Sequence, residues 1–345
     1  MSHAEEPYRF SARLGAAPTA SGGIVMAIGI AAIAALPQAR TGMLLQQAIG
    51  LFLLALWALL AAAFAAAWRE GRFARHTRPP VGRFAIGTWI AATAVLCRLV
   101  ALRFPEWRFV SALLGDVALL LWLWFLPAMV SGFRAIAARA DRCKATGLVL
   151  LSTVSTQSLA IVLLSLFREG KLVFAIVLGL VVFGYALYGL AAPLVIGRYL
   201  RDPGWRLAED WDNSNCILHG ALSISGLAAV LSGVFPACVP LLTWICAAVA
   251  FVLVEAIEIA RLWQRCRLYG LRRGVLAYDV SQWSRNFTFG MFYAFTLAFI
   301  ERLPAGAAAH AVQTAVARFG QYVVLALLVA EIAVFAASTL HKRLS

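Results

Sequence analysis

The chain has 345 residues, of which 62% are apolar and 13% charged, and its formal net charge at pH 7 is +14. Soluble domains carry about a quarter charged residues, so this composition excludes a soluble globular protein and indicates one with several membrane-spanning helices. The positive charge does not indicate a nucleic-acid partner, because the arginines lie in short clusters between apolar runs.

Residues 1–17 contain acids and lack the early apolar run of a cleaved signal peptide, so we predict a cytoplasmic N-terminal segment. Ten apolar segments follow, each long enough to cross a hydrocarbon core about 30 Å thick. They predict one transmembrane domain over residues 18–340 and a cytoplasmic tail over residues 341–345. The predicted helices are 18–37, 43–67, 84–103, 109–131, 146–167, 171–197, 213–235, 237–260, 283–301 and 319–340.

The positions of Lys and Arg predict how these helices are oriented. If successive helices alternate in direction, 22 basic residues fall on one side of the membrane and 8 on the other. Basic loops remain in the cytoplasm. We therefore expect both termini in the cytoplasm, in a multi-pass protein of the inner (plasma) membrane.

The spacing of the odd-numbered helices indicates a repeat. They are predicted to begin near residues 18, 84, 146, 213 and 283, at intervals of 62 to 70 residues. Each unit contains two spans, so the five units share one orientation and are parallel repeats. We predict a bundle of five helical hairpins.

Side chains that form hydrogen bonds concentrate on the odd-numbered helices, above all in TVSTQS of the fifth helix. Such groups are costly against lipid. We therefore expect an inner ring of odd helices within an outer ring of even helices, enclosing a polar pathway. The alternative is that small polar residues only allow close helix packing. The pore-lining candidates are Ser152, Thr153, Thr156, Gln157, Asn215, His219, Ser223, Asn286 and Thr288.

Few ionisable residues are expected at membrane depth. Arg98, near the outer end of the third helix, either attracts anions to the outer mouth or extends to the lipid headgroups. His219 is either a packed histidine or a proton carrier. The acids of the spans fall on even helices, where they pair with arginines or take part in a proton-coupled step, and this placement argues against a cation pathway. They are Asp116, Glu255, Glu258 and Glu331.

Soluble-enzyme motifs are absent from the sequence, and the cysteines form no CxxC pair. We therefore expect no enzymatic activity, no metal site and no cofactor.

Several segments resemble the tellurite-resistance/dicarboxylate transporter family, which includes the plant guard-cell slow anion channels. The most specific is YDVSQWSRNFTFGMFYAF at the ninth helix, which is similar to the family pattern Y-x-x-x-x-W-S-x-x-F-P-L-G-M-Y. The other matching segments are PTASGGIVMAIG, RPPVGRFAIGTW, LLSTVSTQSLAIV and DWDNSNCILHGALSISGLA.

This resemblance implies a quasi-five-fold bundle that assembles as a homotrimer, with an anion pathway through each protomer and a phenylalanine gate. Matching Gly290 and Met291 to the family places the gate at Phe287, with Thr288 at the family's proline and Phe289 as the alternative plug. The resemblance implies a channel or uniporter for small anions or C4-dicarboxylates. The alternatives are a proton-coupled exporter of sulfite, dicarboxylate or a tellurium oxyanion, and an integral membrane redox subunit that uses His219.

Overall fold

A computed structural model describes residues 19–71, 78–138, 145–167, 170–274, 276–302 and 308–344. Throughout these ranges the protein is helical and contains no strand. The predicted N-terminal segment, residues 1–17, lies outside the described residues. Ten long helices follow one another: α1 Thr19–Gln38, α2 Met43–Arg69, α3 Val81–Arg103, α4 Arg108–Ala138, α5 Gly147–Leu166, α6 Lys171–Arg201, α7 Asn213–Ser232, α8 Cys238–Gly274, α9 Trp283–Ile300 and α10 Ala308–Leu344.

These helices overlap the ten predicted segments, and the all-helical membrane class is confirmed. Two bounds differ from the prediction, because α8 continues to Gly274 instead of ending at 260 and α10 begins at Ala308 instead of 319. In the described part of the chain, nine helices are long and apolar enough to cross a membrane by themselves. The exception is α9, which has 18 residues and begins with the polar run Ser284, Arg285 and Asn286. α10 continues to Leu344, so most of the predicted tail 341–345 is helical.

Every odd-numbered helix begins with a turn of tighter 3₁₀ helix, which lies within or directly before the range given above. Three of these turns are capped by a side chain of Thr146, Asp212 or Asp279, which accepts a hydrogen bond from a backbone N–H two residues later. The same device at regular intervals supports a structural repeat. The turns are Thr19–Ser21, Val81–Ile86, Gly147–Leu150, Asn213–Cys216 and Val280–Gln282.

Burial separates the odd helices from the even ones. In the most apolar 18-residue stretch of α1, α3, α5 and α7, between 72% and 94% of the residues are buried, whereas the range for the even helices is 6% to 28%. Most residues of α9 are also buried. The odd helices therefore form the core, and the even helices face the surroundings, as the distribution of polar residues predicts.

The odd helices also contact one another in chain order. α1 packs on α3, α3 on α5, α5 on α7 and α7 on α9, and α9 packs back on α1. Glycine permits the close approach near the beginning of these helices: a Cβ atom on Gly87 of α3 would lie 2.9 Å from the carbonyl oxygen of Leu151 on α5. The odd helices all begin at one end of the bundle, called here the basic end because arginines such as Arg198 and Arg261 cluster there; the opposite end is the far end.

Hydrogen bonds from tryptophan connect the even helices to the core. In three places an indole N–H on an even helix donates to a threonine hydroxyl on the following odd helix. Each hydroxyl in turn donates to the carbonyl four residues earlier in its own helix. Several polar side chains of the core are thus satisfied by the outer helices. The pairs are Trp57 with Thr93 at 3.1 Å, Trp122 with Thr156 at 3.1 Å, and Trp244 with Thr296 at 2.9 Å.

Candidate functional site

A cavity of about 270 Å³ lies in the middle of the core, in the half of the bundle nearer the far end. All five odd helices contribute to its wall, which is mostly apolar. Its polar lining consists of Arg98, Ser158 and Glu301. Residues of the apolar wall include Ile30, Ala94, Ile224 and Met291. A cavity lined by every inner helix marks the central axis of the bundle.

Helix periodicity places an apolar layer next to this cavity, on the side of the basic end. The residues four positions before Ile30, Ala94, Ser158 and Met291 share a helix face with them. These four residues are at most 1% exposed and belong to one hydrophobic cluster. The corresponding position of α7 is Gly220, against which Thr288 packs. The layer consists of Met26, Ile90, Val154 and Phe287.

The two gate candidates lie on opposite sides of α9. Phe287 is one turn before Met291 on the face that lines the cavity. Phe289 is half-buried and faces α7 and α8, where its ring centroid lies 4.6 Å from that of Phe251 and 6.2 Å from that of His219. Residues two positions apart in a helix differ by about 200° in direction, so only one of the pair faces the central axis.

Arg98 lies between the central cavity and a second cavity of about 310 Å³ at the far end, and it lines both. Its Nη1 donates to the Ser165 hydroxyl at 3.3 Å. The guanidinium is therefore the cationic group at the far side of the central cavity, while Glu301, just beyond the end of α9, lines the same cavity.

None of the nine pore-lining candidates lines the central cavity, although all of them are buried. On α5, Thr156 accepts from Trp122 of α4, and Gln157 donates through Nε2 to the Val181 carbonyl of α6 at 3.1 Å. Ser152 donates to its own helix at 2.7 Å. The Thr153 hydroxyl has no hydrogen-bond partner in the described ranges.

The pore-lining candidates on α7 and α9 likewise contact other residues of the protein and not the central cavity. Asn215 joins two segments, because its Oδ1 accepts from the Gly147 N–H at 3.0 Å and its Nδ2 donates to the Tyr199 hydroxyl at 2.7 Å. The hydroxyls of Ser223 and Thr288 donate to carbonyls of their own helices. Asn286 Oδ1 has no partner among the residues described. A place for these residues in a pathway stays a prediction.

A partly buried charged cluster lies between α7, α8 and α9, toward the basic end. Arg285 of α9 contacts Glu258 at 2.6 Å and Glu255 at 3.7 Å. Arg261 contacts Glu258 at 3.4 Å, and Nε2 of the fully buried His219 lies 3.7 Å from Glu255. Trp211 also donates to Glu258 at 3.0 Å. The acids of α8 therefore pair with arginines, which is one of the two roles predicted for them.

Sequence reasoning missed the apolar layer, because Met26, Ile90 and Val154 look like any other core residues. The only available signal was their position four residues before residues of the cavity wall, and it requires the cavity to be known. No protein-family model and no curated protein sequence matches this chain.

Proposed function

We propose that the chain transports anions across the membrane along the axis of the five odd helices. The observation that carries this proposal is the central cavity, which every inner helix lines, with an apolar layer containing Phe287 one helical turn away on the side of the basic end. A cavity on the bundle axis in line with an apolar constriction is the arrangement of a gated permeation path.

The charges around the path favour anions. Arg98 and Glu301 bring one charge of each sign to the cavity, so the preference for anions comes from the arginines of the basic end, which raise the local concentration of anions at that entrance. The acids of α8 are occupied by Arg261 and Arg285. We infer small anions or C4-dicarboxylates as substrates, which enter from a cytoplasmic basic end.

The proposal includes membership of the tellurite-resistance/dicarboxylate transporter family, with quasi-five-fold symmetry and a homotrimer in the inner membrane. The ordered contacts of the odd helices and their common 3₁₀ start support the symmetry. The face that Phe287 shares with Met291 supports Phe287, rather than Phe289, as the gate.

Replacing Phe287 with Ala tests this function. We expect anion flux into liposomes that contain the purified protein to rise, because the substitution removes the largest side chain of the apolar layer. Phe295→Ala is the matched control: Phe295 is fully buried on the same helix but packs on Gly226 of α7. Unchanged flux in a folded Phe287→Ala protein, or an equal rise in the control, contradicts the gate.

A proton-coupled exporter of sulfite, dicarboxylate or a tellurium oxyanion is the second candidate, and the contact between His219 and Glu255 favours it. The reversal potential of the anion current separates the two candidates. It follows the anion gradient alone in a channel, whereas it shifts with an imposed pH gradient in a coupled exporter.

A further inference from the structure

We infer that His219 and Glu255 form a proton-binding site that fixes the rotation of α9, with Phe287 in the central path, while His219 is neutral, and that loosens α9 when His219 binds a proton. The inference rests on the proposed function for its consequence, but the proton site itself is defined by contacts between α7, α8 and α9.

The two faces of α9 have different contacts. Arg285 and Phe289 are four residues apart and therefore share a face. This face is held against α8, because Arg285 contacts Glu255 and Glu258, and Phe289 packs on Phe251. Phe287 lies midway between them in sequence and on the opposite side of the helix. Contacts on the outer face of α9 therefore determine where Phe287 points.

His219 is the residue of α7 that completes these contacts. Its ring is fully buried, packs edge-to-face on Phe251 with centroids 4.7 Å apart, and lies 6.2 Å from the ring of Phe289. Neither ring nitrogen has a hydrogen-bond partner within the described ranges, and Nε2 lies 3.7 Å from a carboxylate oxygen of Glu255. The ring is thus positioned to pair with Glu255 without yet forming a hydrogen bond.

The charged groups near the His219 ring come from α8 and α9. Glu255 of α8 and Arg285 of α9 are the charged groups of the described residues that act on His219, and α5 and α6, which also pack on α7, bring none. Two carboxylates, Glu255 and Glu258, face two guanidiniums, Arg261 and Arg285, so the cluster is neutral while the ring is neutral. A proton on His219 converts its contact with Glu255 into an ion pair.

The direction of the effect follows from the burial of the ring. Glu255 already contacts Arg285, so a proton on His219 leaves the cluster with a net positive charge around a fully buried ring. The packing of α7, α8 and α9 that places Phe287 in the path is therefore weakened at acid pH. It is strongest while the ring is neutral.

Anion flux into liposomes, measured with equal pH on both sides, tests the coupling to transport. We expect the flux of the unaltered protein to rise roughly fivefold as the pH is lowered from about 8 to about 5, and His219→Gln to remove this dependence. His310→Gln, on α10, is the matched control and should retain it. Phe287→Ala should also lose it, since the proton acts through the gate. A pH dependence that survives in His219→Gln or in Phe287→Ala overturns the inference.

Nitrogen-15 NMR of histidine-labelled protein tests the proton site independently of transport. The resonance that is absent in His219→Gln should acquire the shift of a protonated ring as the pH is lowered. Glu255→Gln should move its midpoint to more acid pH, because a neighbouring negative charge is removed. A ring that stays in one protonation state overturns the inference. If His219 titrates while no variant transports anions, the proposed function fails and the proton site remains.

Discussion

At the scale of single residues, the pairs of tryptophan and threonine show how the membrane core is held together. In hydrocarbon an indole N–H has no water to bind, so a hydroxyl on the next helix is its available acceptor. The Thr156 hydroxyl both accepts from Trp122 and donates to the Ser152 carbonyl. Its role in the structure is therefore to join α4 to α5.

Replacing Thr156 with Val should lower the free energy of unfolding by about 1 kcal/mol, because Trp122 loses its acceptor in a dry environment. Anion flux should not change, since the hydroxyl faces α4. Thermal unfolding in detergent and liposome flux provide the two measurements. Thr314→Val is the control, because that exposed hydroxyl bonds only to the His310 carbonyl in the described structure. A change in flux with unaltered stability would instead place Thr156 in the pathway.

At the scale of helices, the core depends on glycines that let neighbouring backbones approach. Gly22 of α1 packs on the backbone of Thr88 in α3, and Gly87 of α3 packs on that of Leu151 in α5. Such contacts allow dispersion between whole backbones, which stabilises helix pairs in membranes where the hydrophobic effect does not act between them.

Gly87→Ala should therefore destabilise the protein by about 1–3 kcal/mol, because the added Cβ would lie 2.9 Å from backbone and side-chain atoms of Leu151. Gly179→Ala on α6 is the matched control, since a Cβ there meets no atom within 4 Å in the described structure. Its effect should be neutral or stabilising by up to about 1 kcal/mol, the difference in helix propensity. Equal effects on unfolding in detergent would contradict the close approach of α3 and α5.

At the scale of the whole molecule, the basic end defines a side of the membrane. The loop charges predict that this end is cytoplasmic. Two native cysteines report on the prediction, because Cys238 begins α8 at the far end and is exposed, whereas Cys266 lies in the part of α8 near the basic end.

In variants whose only cysteine is either Cys238 or Cys266, a membrane-impermeant maleimide should label Cys238 on intact cells. Cys266 should be labelled only after the cells are permeabilised. The reverse pattern would invert the orientation and place the entrance with the arginine clusters outside the cell.

Sequence reasoning predicted the helices and the buried position of the odd ones, since apolar length and polar content are properties of each segment alone. It did not predict which way the polar side chains point. Thr156 and Gln157 both contact outer helices, and their partners Trp122 and Val181 are 34 and 24 residues away in the chain. The central cavity likewise needs five helices to be placed before its wall is defined, so the role of Arg98 there and the apolar layer around Phe287 depend on the tertiary structure.

The contact between α9 and α1 has a consequence for biosynthesis. α1 leaves the ribosome first and α9 near the end of translation, so the wall that Gly290 and Ile30 complete is missing until almost the whole chain is made. α9 is also the helix whose own apolarity is insufficient for a span. Its insertion therefore relies on polar partners already in the membrane, including Glu258 for Arg285 and Trp244 for Thr296. The last side of the central cavity is therefore assembled only when translation is almost complete.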